Sequence, residues 1–246
     1  MSRLFFPRYH NLAALAPAGA PASSLLTDLV AHWKLDEVGG TRNDSHGSSH
    51  LSEVGLPTGV VGKIGNAVSL NGSTMALSCA DNADLSMGDV DFTVAAWVQL
   101  ASTPVGDMYA LGKGVIGAHT HEYLLGYAGS NGELRFMVAD SLSSGSISAS
   151  TFGPVSTSTW YFVVAWHDAS ADTINIQIND GTVDSDSYAD GSFDSSDAFA
   201  IGRPGGTAGN YWNGLIDSVS VWRRVLTAGE RTQLYNSGSG LDYGSF

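Results

Sequence analysis

From Leu29 onward the chain alternates apolar and polar residues with a period of two, broken by Gly, Asn, Asp and Ser. That period is the mark of half-buried strands. Strands are expected at 30–35, 67–70, a short run ending at Cys79, 92–100, 108–111, 122–127, 133–139 and 160–167. The clearest hairpin follows: Ile174, Ile176 and Ile178 alternate with Asn175, Gln177 and Asn179, and Asp180-Gly181 forms the turn pair. Its return strand, Thr182–Tyr188, is polar enough for an edge. Phe199–Gly202 and the stretch 215–222 complete the set, with Asn213-Gly214 read as a turn pair before the last strand. Ser143–Ser158 reads as Ser-rich loop and edge strand. About a dozen strands with turns at roughly 8–12-residue intervals predict an all-β sandwich.

Three of these strands are apolar on both faces, which predicts central positions. They are Phe92–Leu100, Trp160–His167 and the last strand, so Trp97, Trp160 and Trp166 are core candidates. In the last strand simple alternation puts Leu215, Asp217, Val219 and Val221 on one face, and Ile216, Ser218, Ser220 and Trp222 on the other. Asp217 is then a carboxylate in an apolar row. It has to be hydrogen-bonded, ion-paired or metal-bound, because an uncompensated buried charge costs several kcal/mol. Directly after comes Thr227-Ala-Gly-Glu230, a capping box that starts a short helix reaching Tyr235.

Residues 1–28 differ in kind from the domain expected over 29–246. They hold three of the seven prolines and no lasting period. Ordering such an arm costs tens of kcal/mol at about 1–2 per residue, so contacts must offset it. Leu4, Phe5, Phe6, Tyr9, Leu12 and Leu15 are the side chains able to supply them. Two readings stand: an arm packed on its own domain, or an assembly anchor docked on another chain. A basic start and the run Leu12–Ala16 resemble a leader peptide, but the run is short and Pro17 breaks it, so the arm is expected to be retained.

Composition narrows the function classes. A net charge of −13 argues against a basic face for nucleic acid. No apolar run approaches the ~20 residues of a membrane span. Cys79 is the only cysteine, which excludes an intrachain disulfide. Thirty glycines fit many tight turns.

Particular stretches also resemble one family. Trp33-Lys-Leu-Asp-Glu37, Gly62-Lys-Ile-Gly-Asn66 through Asn71-Gly72, Phe92-Thr-Val-Ala-Ala-Trp97-Val and Trp212-Asn-Gly-Leu-Ile-Asp217 through Glu230 resemble, in the right order, the motifs of LamG-like domains. The likeness covers residues 29–236. It implies a concanavalin A-like jelly roll of two antiparallel sheets with one short C-terminal helix. It also implies one structural Ca²⁺, held by Asp217 with Asp36 or Glu37 and the Asn71-Gly72 backbone; Ca²⁺ takes 6–8 oxygen ligands.

Enzymatic chemistry finds little footing. Sandwiches that cleave glycans set carboxylates about 5–5.5 Å apart on one strand face. The nearest pattern, Asp184-Ser-Asp186, lies in a polar hairpin strand and reads as solvated turn chemistry. His119-Thr-His121 places two imidazoles on one face of an extended segment, without a third metal ligand. Candidate aromatics for stacking on a sugar are Tyr109, Tyr127, Tyr188 and Trp212. The expectation is therefore non-enzymatic. By resemblance to tailed-phage proteins, it is a decoration or fibre-associated protein on a virion surface, homo-oligomeric in the assembly, docked on other virion proteins through residues 1–28 and open to a cell-surface glycan. The alternative is a secreted, extracellular carbohydrate-binding module or lectin.

Overall fold

The computed structural model describes residues 24–117 and 119–246. The expected anchor side chains Leu4, Phe5, Phe6, Tyr9, Leu12 and Leu15 lie outside the described residues. The strands are β1 (Leu29–Trp33), β2 (Ser52–Val54), β3 (Thr58–Val61), β4 (Asn66–Asn71), β5 (Ala76–Cys79), β6 (Phe92–Leu100), β7 (Met108–Gly114) and β8 (His121–Ala128). They continue as β9 (Glu133–Ala139), β10 (Ser144–Ser148), β11 (Trp160–Asp168), β12 (Thr173–Ile178), β13 (Val183–Ser187), β14 (Phe199–Ile201) and β15 (Asn213–Trp222), before helix α1 (Ala228–Tyr235). One sheet has the order β13-β12-β11-β6-β15-β4-β3 with β1 also on β15; the other has the order β10-β9-β8-β7-β14-β5-β2. Every strand pairing is antiparallel. The result is the jelly-roll sandwich expected, with β2 and β3 as strands the periodicity does not reveal. They are short and mostly exposed.

Two apolar clusters hold the fold. The larger lies between the sheets and includes Trp33, Phe92, Tyr123, Phe136, Phe199 and Trp212. Trp33 and Phe199 stack across it with ring centres 5.0 Å apart. The second lies on the outer face of the larger sheet, where Trp97, Phe162, Trp166 and Trp222 meet Leu25 and Leu234 of α1. This is why β6, β11 and β15 are apolar on both faces: one face meets the opposite sheet, the other the helix and the chain's first described turn. Trp160, expected in the core, is only partly buried at the margin of this cluster.

The helix start fulfils the capping box, and one carboxylate ties it down. Thr227 Oγ1 accepts from the Glu230 N–H, while Glu230 accepts from the Thr227 N–H at 2.8 Å. Glu230 also receives both ends of the Arg224 guanidinium, at 2.8 and 2.7 Å, and the Ser24 hydroxyl. Ser24–Asp28, assigned to the arm on sequence, therefore belongs to the packed body. Leu25 is fully buried and its carbonyl accepts from Trp222 Nε1 at 2.7 Å; Thr27 O accepts from Arg224 Nε.

The last strand corrects the simple alternation. Between Asp217 and Ser220 its register against β6 slips, and Ser218 has φ 49°. This one-residue bulge reverses the parity of everything after it. Ile216, Val219 and Val221 all enter the inter-sheet core, while Trp222 joins the outer cluster. Asp217 thus does not share a row with Val219 and Val221. Asn213-Gly214 is likewise strand rather than turn, opposite Asn71 and Leu70 of β4. A side chain at Gly214 (φ +148°) would collide with the Gln99 carbonyl, its Cβ only 1.9 Å away.

Candidate functional site

Asp217, the carboxylate singled out on sequence, is fully buried under the turn joining β3 to β4. Its Oδ2 accepts from the Lys63 and Ile64 N–H groups at 2.7 and 2.8 Å. Its Oδ1 is buried without a partner. Burial raises its pKa to about 7, against the pull of those two N–H groups, with the nearby Asp36 charge adding to the rise. Asp36 grips the other side of the same turn: its Oδ1 accepts from the Asn66 N–H at 2.8 Å and its carbonyl from Asn66 Nδ2. The two aspartates clamp one hairpin.

The remaining residues of the implied calcium set are elsewhere. Glu37 Oε1 accepts from the Asn43 backbone and side-chain amides at 2.8 and 2.9 Å. Asn71 lies opposite Asn213, four residues from Asp217 along β15, which is roughly 13 Å at about 3.3 Å per residue. Asn71 Oδ1 already accepts from the Ser73, Thr74 and Met75 N–H groups. Among the described residues no three His, Cys, Asp or Glu side chains are grouped to hold a metal ion. The orphaned Oδ1 of Asp217 is an atom a cation would satisfy, but the five residues do not surround one point. The set does not fit a single Ca²⁺.

The other sequence candidates are also accounted for. Tyr109, Tyr127, Tyr188 and Trp212 are all buried, so none presents a ring to a ligand. His119 has φ 61°, so its segment is not extended as expected. His121 is buried with both ring nitrogens unpartnered, and burial, with His119 and Arg135 nearby, lowers its pKa to about 4. Glu122 is buried against Lys113 and accepts from the Ser195 N–H at 2.7 Å, while Lys113 also pairs with the more exposed Asp81 at 2.8 Å. Asp184 lies at a sheet edge and accepts from Ser150 and Thr151, which is turn chemistry. Asp186 accepts from the neighbouring Ser187 N–H.

Asn71 and Gly72 instead help wall a cleft of about 420 Å³ at one end of the sandwich. Three loops meet there, following β4, β6 and β14. Its lining includes Ser102, Thr103, Asp107, Asn210, Tyr211 and Asn213. The loops are stitched together by the backbone. Gly72 N–H donates to Trp212 O, Ala101 N–H to Asn213 O and Tyr109 N–H to Asn210 O, each at 3.0 Å. Side chains add Asn213 Nδ2 to Ser102 Oγ at 2.9 Å and Asn210 Nδ2 to the Asp107 carbonyl at 2.8 Å. Gly72 (φ +72°) is required at this junction, since a Cβ there would lie 2.7 Å from that of Asn213.

Tyr211 is the aromatic that sequence reasoning missed. It stands beside Trp212, half-buried in the cleft wall while its neighbour is fully buried. The parallel bridge Tyr109–Tyr211 fixes its backbone. The signal was present in the register: with Trp212 turned inward, Tyr211 has to turn the other way. A half-buried phenol ring, flanked by fixed amides and hydroxyls, offers an apolar face and polar neighbours, the combination that grips a ligand both apolar and hydroxylated.

Comparison with known proteins follows the fold. Domain 4 of an extracellular arabinanase from Geobacillus stearothermophilus, solved with arabinotriose, superposes with TM-score 0.63 at 20% identity over 84% of this chain and 97% of that one. The binding domain of Paraclostridial Mosquitocidal Protein 1 superposes with TM-score 0.69 at 16% identity, over 87% of this chain and 53% of the other. A Trypanosoma rangeli sialidase matches with TM-score 0.65 at 15% identity, covering 94% of this chain and 36% of the enzyme. At these identities the likeness is one of fold. A sequence search of curated proteins finds no match. The family model of the concanavalin A-like lectin/glucanases superfamily, Laminin_G_3, matches residues 71–230, more than half of the sequence. On that match and the sandwich it predicts, the chain belongs to the concanavalin A-like lectin/glucanases superfamily.

Proposed function

We propose that this protein is a non-catalytic carbohydrate-binding module, with the Tyr211 cleft as its site. The observation that carries the reading is the half-buried Tyr211 ring set among Asn210, Asn213 and Ser102 in a cleft whose loops are already cross-linked. A site that is ordered before its ligand arrives avoids much of the entropy cost of binding. The arabinanase domain solved with arabinotriose lends support by fold. Cleavage is disfavoured by the cleft itself: among its lining residues Asp107 is the lone carboxylate, where glycoside hydrolysis uses two. Both Asp107 oxygens are engaged, Oδ1 by the Gly129 N–H and Oδ2 by Arg135.

A glycan array with the wild type and with Tyr211→Ala tests this reading. The variant is expected to stay folded, with a melting midpoint only a few degrees lower at most, and to lose at least about tenfold in affinity, or ~1.4 kcal/mol. Silence of the wild type across the array sinks the proposal. Under the same proposal the module works outside the cell, either displayed on a virion surface through its N-terminal residues or free. Display is tested by deleting residues 1–23 and measuring incorporation into particles; unchanged incorporation would leave the free module.

A further inference from the structure

The cleft also names a ligand class, an inference that rests on the glycan reading above. Among its lining residues there is no Lys, Arg or His. The cation beside it, Arg135, is held by Asp107 Oδ2 at 2.6 Å and by the Tyr109 hydroxyl at 3.2 Å. Some of the backbone N–H groups around the cleft, the other means of holding an anion, are engaged within the protein. Gly72, Ala101 and Tyr109 donate across the loops, Ser73 and Thr74 donate to Asn71 Oδ1, and Gly129 donates to Asp107.

What the cleft presents is polar and without a cationic side chain. One N–H of each Nδ2 of Asn210 and Asn213 is engaged within the protein, and their carbonyl oxygens are left for hydroxyl donors. A carboxylate or sulfate placed against these oxygens would be desolvated with no charge-assisted bond to repay it. The protein's net charge of −13 adds long-range repulsion. We infer that the cleft takes uncharged oligosaccharides, its amide oxygens accepting from sugar hydroxyls over the Tyr211 ring, and rejects uronate, sialylated and sulfated glycans.

The test is calorimetric titration of the full chain with neutral glycans (arabinan, xylan, galactan and mannan oligosaccharides) and acidic ones (oligogalacturonate, sialyllactose, a sulfated galactan). Each is run at low salt and at about 0.5 M NaCl, where the Debye length falls to a few Å. The expected result is binding confined to the neutral set, insensitive to salt and weakened at least about tenfold by Tyr211→Ala. Thr103→Arg, at an exposed loop position, should then admit an acidic glycan. Salt-sensitive binding of an acidic glycan that Tyr211→Ala abolishes would overturn the ligand class and leave the cleft standing. Binding that ignores Tyr211→Ala, or no binding to either set, would overturn the cleft and the class with it.

Discussion

Glu230→Gln is the most informative single change to the frame. The carboxylate is almost fully buried and gathers Arg224 and Thr227 from the link before its own helix and Ser24 from the distant start of the body. The Arg224 guanidinium, followed by the Ser24 and Thr227 donors, holds its pKa down at about 2 from the ordinary 4.5, in spite of burial. A depressed acid contributes stability that is complete above its unfolded value and is lost as pH falls through its folded one. At 1.36 kcal/mol per unit the shift corresponds to about 3 kcal/mol, and partial solvent access to Arg224 brings the expectation to ~2–3 kcal/mol. For a chain of this size that is a fall in melting midpoint of about 5–10 °C. Calorimetric melts of wild type and variant near neutral pH read it directly. Repeating them at stepwise lower pH should close the gap between about pH 4.5 and pH 2, as the wild-type carboxylate becomes protonated. A variant melting within about 1 °C of wild type at neutral pH, or a gap that does not shrink with acid, would refute the reasoning.

Asp217 carries the opposite sign. Its pKa is raised to about 7, so the folded state holds the proton more tightly, and its stabilising share is complete below about pH 4 and lost as pH rises through about 7. Asp217→Asn should flatten that slope and stabilise the protein by up to ~4 kcal/mol at alkaline pH, read by urea unfolding across pH with His32, Lys34, Asp36 and Asp242 left intact. Calcium or chelator should leave the wild-type midpoint unchanged; a calcium-dependent rise that Asp217→Asn abolishes would instead place an ion on the orphaned Oδ1. Deleting residues 1–28 removes buried Leu25 and the Ser24 contact and should lower the melting midpoint by at least about 5 °C relative to deleting residues 1–23. Equal midpoints for the two deletions would return the boundary to residue 29.

Much of the frame was legible because period and caps report local physics. The strand from Phe92 to Leu100, the Ile174–Ile178 hairpin and the Thr227 cap appear where alternation and capping chemistry put them. What escaped depends on single residues out of pattern. The bulge at Ser218 turns on one left-handed serine, and nothing in its composition announces that conformation. Its effect was to seat Asp217 under a turn rather than in the core. Strands β2 and β3 are too short and too exposed to show a period. The cleft is built by loops more than 130 residues apart in sequence, Asn71 and Asn210 among them, so no local window contains it. Tyr211 and Trp212 are adjacent aromatics, and composition says nothing about which of the two turns inward.

The pairing of β1 with β15 has a consequence for reach. Leu29 lies opposite Trp222, at one end of β15, while Asn213 at the other end helps line the cleft. The length of β15 sets these points roughly 30 Å apart at about 3.3 Å per residue. Ser24, joined to Glu230 at the start of α1, lies at the Trp222 end as well. A body attached through Ser24 would therefore present the Tyr211 cleft at the opposite pole, and copies attached in this way side by side would all offer that pole outward. Many weak contacts made in parallel gain strength through their high local concentration, so a cleft of modest affinity would be enough.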